Sequence, residues 1–172
     1  MTVTENLTPA VAAITGNEPL TCAVTSVTLD ASTSTADGNF TYLWSTGSTN
    51  SSISVTEAGP YSVTITGENG CEDTATVTVT ENLTPAVAAI TGNEPLTCAV
   101  TSVTLDASTS TADGNFTYLW NTGSTNSSIS VTEAGPYSVT ITGENGCEDT
   151  ATVTVTRTEE RGVGASTGHR HS

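Results

Sequence analysis

The chain has 172 residues, 35% of them hydrophobic, with 18 acidic side chains against three Arg (Arg157, Arg161, Arg170) and no Lys, a formal net charge of −15. Nothing in such a balance could neutralise phosphates, so nucleic acid is excluded as a partner, and anionic membrane surfaces with it. No apolar run is long enough to span a membrane, and Met1 is not followed by a signal peptide, so if the protein is exported its signal is expected to lie outside these residues or to have been removed.

Residues 5–80 recur as residues 81–156 with 75 of 76 positions identical, the one exchange being Ser45 against Asn121. A period this long and clean marks a whole folded module repeated in an array. Two copies with no division of labour point to length or multivalency, not to an enzyme site shared between halves. Thr2, Val3 and Thr4 match Thr78, Val79 and Thr80. Residues 1–4 therefore read as the stub of a preceding repeat's last strand, either cut from a longer array or completing a neighbour's sheet.

Thr, Val and Ser dominate, which favours strands. In the first copy Pro9 opens PAVAAITG, expected as a first strand. In LTCAVTSVTLDAS, Val27, Leu29 and Ala31 alternate with polar residues, the period-2 mark of a half-buried strand. The loop TSTADGN is turn chemistry. FTYLWSTG then sets Phe40, Tyr42 and Trp44 on one face and Leu43 on the other, and SSISV points Ile53 and Val55 the same way. Tyr61, Val63 and Ile65 alternate in YSVTIT. The Glu68-Asn69-Gly70 sequence predicts a hairpin with a type I′ turn. The last strand, CEDTATVTVT, alternates Ala75, Val77 and Val79 with Thr. About seven short strands, each with one apolar face, predict tandem all-β immunoglobulin-like sandwiches.

The four cysteines fall two per repeat, Cys22 with Cys71 and Cys98 with Cys147, 49 residues apart in each. No CxxC or nearby His offers a zinc site, so one disulfide within each repeat, Cys22–Cys71 and Cys98–Cys147, is expected, and with it an oxidising compartment. Closing such a loop would stabilise each module by about 4 kcal/mol in the chain-entropy model. Geometrically, the segment before the second strand would run parallel to the last strand and set Cys22 beside Cys71.

The pattern VTLDAS…YLWSTGS…ISVTEAGPYSVTITGENGCEDTATVTVT resembles PKD-type and SprB-type immunoglobulin-like repeats, which occur in tandem in surface proteins of bacteria, gliding Bacteroidetes above all. The resemblance covers residues 20–80 and 96–156, and Ser45-Thr46-Gly47 in place of a DFGDG-like string pulls it toward the SprB-like branch. It implies a surface adhesin or stalk segment without enzymatic activity. It also makes Asp73-Thr74-Ala75 and Asp149-Thr150-Ala151 look like the O-glycosylation signal of those bacteria, with Thr74 and Thr150 as acceptors.

Other candidate chemistry is thinner. Both His (His169, His171) lie in the tail, so no nucleophile–His constellation can form inside a repeat. Asp30, Asp37 and Asn39, with copies Asp106, Asp113 and Asn115, are weak calcium candidates beside turn-forming, solvated side chains, since their spacing matches no EF-hand. Asn6, Asn39 and Asn50, with copies Asn82, Asn115 and Asn126, open N-glycosylation sequons. Trp44 and Trp120 could stack on sugars, but their alternation with aromatics favours the core.

Only Glu81, Asn82, Leu83 and Thr84 separate the copies, so a semi-rigid rod is expected. Residues 157–172 read as a polar tail, either a disordered remnant or a docking segment for the next subunit. The expected domains are thus the stub at 1–4, repeats at 5–80 and 81–156, and that tail. Together they predict an extracellular, cell-surface stalk, spacer or filament with no cofactor. Its expected partners are neighbouring copies of the same repeat, in a homopolymeric filament. The rival readings are a self-assembling subunit joined through its terminal segments and a module that binds carbohydrate or surface glycans.

Overall fold

The computed structural model describes residues 4–158. Every regular element among them is a strand. Backbone contacts divide the chain into two units, Met1–Thr84 with Asn145–Cys147, and Pro85–Glu144 with Glu148–Ser172.

In the first unit β1 is Leu20–Thr21, β2 Val27–Asp30, β3 Phe40–Trp44, β4 Ser52–Val55, β5 Gly59–Gly67, β6 Glu72–Val79 and β7 Glu81–Asn82. β2 and β4 pair antiparallel, Val27 opposite Val55 and Leu29 opposite Ile53. The second sheet is ordered β3-β5-β6, all antiparallel, with Trp44 opposite Val63 and Val63 opposite Ala75. Because side chains alternate across a strand, each sheet turns one apolar row inward. Leu29, Ala31, Val63 and Ile65 are fully buried, and Trp44, Val55 and Val79 nearly so. They form one core, with Phe40, Tyr42, Ile53, Ala75 and Val77 packed at its margin. Each buried Val, Leu or Ile contributes about 1.5–3 kcal/mol of transfer free energy. Leu43 is 57% exposed, on the outer face where the alternation places it.

The strand partition, β2 with β4 against β3-β5-β6, is that of an immunoglobulin-like sandwich, whose B and E strands share one sheet and C, F and G the other. A corner typical of that fold is also present: the Tyr61 hydroxyl, near the start of β5, donates to the Glu57 carbonyl at 2.9 Å. Trp44 is buried with its indole N–H donating to the Asn50 carbonyl at 2.8 Å, so its polar atom is satisfied inside the core.

The second unit repeats this plan in β8 (Val103–Asp106), β9 (Thr117–Trp120), β10 (Ser128–Val131), β11 (Gly135–Thr142) and β12 (Glu148–Val155). Its registers are equivalent, Val103 opposite Val131 and Trp120 opposite Val139, and so is its core of Leu105, Ala107, Trp120, Val139 and Ile141.

Two local expectations change. PAVAAITG is not a strand; it makes only the isolated bridges Val11–Thr35 and Thr15–Asp30. Side chains take the intervening donors instead: Ala12 N–H bonds the Asp73 carboxylate at 2.8 Å and Ala13 N–H the Ser34 hydroxyl at 3.0 Å. The hairpin at Glu68-Asn69-Gly70 is not type I′, which needs two residues of positive φ. Among the described residues none other than Gly has positive φ, and Gly70 alone adopts it there, at 78°. The Gly70 N–H closes the turn onto the Gly67 carbonyl at 2.9 Å.

Candidate functional site

The cysteines overturn the pairing expected from their spacing. Cys22 is bonded to Cys147, with Cα atoms 5.0 Å apart, and Cys71 and Cys98 are free thiols. Neither Cys22–Cys71 nor Cys98–Cys147 forms. The expected parallel pairing is present but its register is different. β1 runs parallel to β7, Leu20 opposite Glu81, so Cys22 lies beyond the end of β6 while Cys71 lies before its start. Ten residues of extended chain separate Cys71 from Glu81, about 33 Å at 3.3 Å per residue. Disulfide Cα atoms must approach within about 7 Å. The same register recurs at Leu96 and Arg157, which separates Cys98 from Cys147 in the same way.

The bond sits in a built clasp. The Thr21 hydroxyl accepts from the N–H groups of Ala23 and Val24, at 3.2 and 2.9 Å, and holds the loop after β1 in a tight turn. Ala23 N–H donates to the Asn145 carbonyl at 3.3 Å. Asn145, only 4% exposed, donates its amide to the carbonyls of Thr84 at 2.9 Å and Asn82 at 3.3 Å, and its Oδ1 accepts from Cys147 N–H at 3.0 Å. A buried amide so satisfied fixes the backbone that carries Cys147. Gly146, at φ 75°, lies so close to Ala23 that a Cβ there would collide with the Ala23 methyl. In the chain-entropy model a bond spanning 125 residues stabilises by about 5 kcal/mol.

Asp30 and Asp106 carry the perturbed carboxylates. Backbone hydrogen bonds from Ser32 and Ser108, reinforced by their hydroxyls, hold both carboxyls below the ordinary value of 3.8. The Ser32 N–H lies 2.8 Å from Asp30 Oδ1. The calcium candidates are engaged separately: Asp37 accepts from the Asn6 amide at 2.9 Å, and Asn39 donates to Glu68 at 3.2 Å, as Asn115 does to Glu144. Among the described residues no three His, Cys, Asp or Glu side chains come together as a metal site.

Thr74 and Thr150 are exposed on β6 and β12, as their strand phase requires, each hydroxyl 2.9 Å from a cross-strand Thr hydroxyl. Of the sequon residues, Asn6, Asn39, Asn50, Asn115 and Asn126 are exposed and Asn82 is half-buried. Trp44 and Trp120 are 2% and 1% exposed and offer no sugar platform. Sequence reasoning missed Ser34 and Asn145 as structural anchors. The Asn-Gly-Cys triplet was a signal for Asn145, since an Asn side chain readily bonds the N–H two residues on. Residues 1–3 of the stub, and His169, His171, Arg161 and Arg170 of the tail, lie outside the described residues.

No protein-family model and no curated protein matches the chain. Solved structures do. Three N-terminal domains of the bacteriophage RB49 Highly Immunogenic Outer Capsid protein are 19% identical, with TM-score 0.49 over 87% of this chain, and the chain spans 59% of that fragment's length. The N-terminal eight Ig domains of Down Syndrome Cell Adhesion Molecule are 10% identical, with TM-score 0.44 over 88% of this chain and 25% of theirs. Murine CEACAM1b is 14% identical, with TM-score 0.36 over 87% of this chain and all of its own. The fold assignment rests on the registers and cores described above.

Proposed function

We propose that this chain is an extracellular structural segment, a stalk, spacer or filament of a bacterial surface protein, built from serial immunoglobulin-like modules and without catalytic activity. The observation that carries the reading is the repetition itself. Seventy-five identical positions yield the same ladder registers and the same core twice, and two of the four cysteines, Cys22 and Cys147, form a cross-link. A disulfide of that kind belongs to oxidising surroundings, which supports an extracellular location. The acidic surface keeps such a repetitive β protein soluble and discourages edge-to-edge pairing. Neighbouring copies of the same repeat are the proposed partners, and the exposed Thr74 and Thr150 hydroxyls are the proposed acceptors of O-linked sugar.

A glycan array and a cell-binding assay on the purified chain test the reading. It expects no specific, saturable binding. Saturable binding to a sugar would replace the spacer with a carbohydrate-binding module.

A further inference from the structure

We propose that the chain associates with a second copy of itself through β3, the two strands pairing antiparallel about Thr41 to join two sheets into one. The inference rests on the structural reading in which neighbouring copies are the partners, and it names the surface that joins them.

β3 is an edge of the β3-β5-β6 sheet. The Ser45 N–H bonds the Ser62 carbonyl at 2.8 Å, toward β5. Main-chain groups alternate in direction along an antiparallel strand, so those of Thr41 and Leu43 also face β5, while Phe40, Tyr42 and Trp44 turn theirs outward. Trp44 is satisfied by the turn that follows: its N–H bonds the Ser48 carbonyl, and its carbonyl accepts from Gly47 N–H, both at 2.8 Å. The N–H and C=O groups of Phe40 and Tyr42 line the open edge. A groove runs beside them, lined by Phe40, Thr41, Tyr42, Leu43, Thr49 and Thr66. Leu43 stands at it 57% exposed.

Sheet edges are ordinarily guarded by charge, proline, a bulge or a covering segment. At the opposite edge β6 begins with exposed Glu72 and Asp73, and just past its end the Thr80 carbonyl is taken by Leu20 N–H. β3 carries neither charge nor proline. Residues 38–56 contain no Asp, Glu, Lys or Arg in a chain of net charge −15, and residues 114–132 repeat that neutral window around β9. The window also selects the partner. A basic strand finds no carboxylate on β3 to pair with, whereas β3 of a second copy brings no charge to the contact.

Centred on Thr41, a two-fold pair sets Phe40 opposite Tyr42 of the second copy and Tyr42 opposite Phe40 of the second copy. Every outward N–H and C=O of those residues is then matched. Leu43 comes to lie against Asn39 and Thr41 of the second copy, within reach of cross-strand packing. The net charges of the two chains oppose their approach, and salt screens that repulsion. The Debye length falls from about 30 Å at 0.01 M salt to about 3 Å at 1 M.

Sedimentation equilibrium of the full chain, carrying Cys71→Ser and Cys98→Ser so that free thiols play no part, tests the pairing across that range of sodium chloride. The proposal expects association that strengthens with salt. Thr41→Lys/Thr117→Lys, at exposed positions, sets like charges face to face across the pair and should weaken association about tenfold or more, although it lowers the net negative charge. Leu43→Lys/Leu119→Lys, both 57% exposed, should act in the same direction. Ser54→Lys/Ser130→Lys, exposed on β4 and β10, should leave association unchanged. Association that weakens with salt, indifference to both β3 variants, or an equal loss in Ser54→Lys/Ser130→Lys would overturn the pairing. A chain that stays monomeric at every salt concentration would overturn it too, yet leave the non-catalytic spacer standing. That spacer falls instead to saturable sugar binding, a separate measurement.

Discussion

The Asp73 carboxylate accepts a hydrogen bond from the backbone N–H of Ala12 at 2.8 Å, across 61 residues of sequence. Asp149 and Ala88 repeat it at the same distance. The bond fastens the segment after Pro9 to the last strand of the second sheet, where a ladder would otherwise have to form. Asp73→Ala should destabilise its unit by about 1 kcal/mol, the usual contribution of one such bond. Urea unfolding checks this, and an unchanged midpoint would mean that water replaces the carboxylate without loss.

Ser34 is the buried companion of that contact. Its hydroxyl accepts from Ala13 N–H at 3.0 Å and donates to the Ala13 carbonyl at 3.2 Å, while the residue is 5% exposed. Ser34→Ala leaves both backbone groups unsatisfied and should cost about 1–3 kcal/mol. Amide exchange at Ala13 should accelerate in parallel.

Leu29 and Leu105 are fully buried at equivalent positions. Leu29→Ala and Leu105→Ala should each cost about 2–5 kcal/mol, because the cavity left behind adds to the lost transfer energy. Near-equality of the two values is the sharper expectation. A gap above about 1.4 kcal/mol, tenfold in an equilibrium constant, would show that the two copies are not energetically interchangeable.

Asp30 and Asp106 titrate below the ordinary carboxyl value in the folded chain. A group whose folded pKa is depressed contributes stability above its unfolded pKa and loses it as pH falls through the folded one. Acid titration should therefore leave this contribution intact down to about pH 4 and erode it below. Carbon-detected NMR of the two side-chain carboxyls is the direct check, and midpoints at or above 3.8 would contradict the Ser32 and Ser108 hydrogen bonds.

Period-2 alternation is local, so Val27, Leu29, Val63 and Ile65 were legible as core from sequence, as was exposed Leu43. The Ser45/Asn121 exchange was legible as a surface change: Ser45 Oγ and Asn121 Oδ1 each accept the N–H of the residue facing them, Ser62 or Ser138, at 3.2 Å. The 9–16 segment was misread because its donors are met by Asp73 and Ser34, partners that no local pattern announces. The disulfide was misread for a related reason. Equal spacing within each repeat suggests pairing within it, but the parallel register of Leu20 with Glu81 places the two cysteines of a repeat at opposite ends of a strand. Register between distant segments is set by the packing of both and leaves no trace in either alone.

The Cys22–Cys147 bond is most directly tested in the double variant Cys71→Ser/Cys98→Ser, purified under oxidising conditions and assayed for free thiol and intact mass. The structure predicts no free thiol and a mass two hydrogens below that of the reduced chain. Pairing within each repeat would instead strand Cys22 and Cys147 without partners, and recovery of both as free thiols would contradict the account.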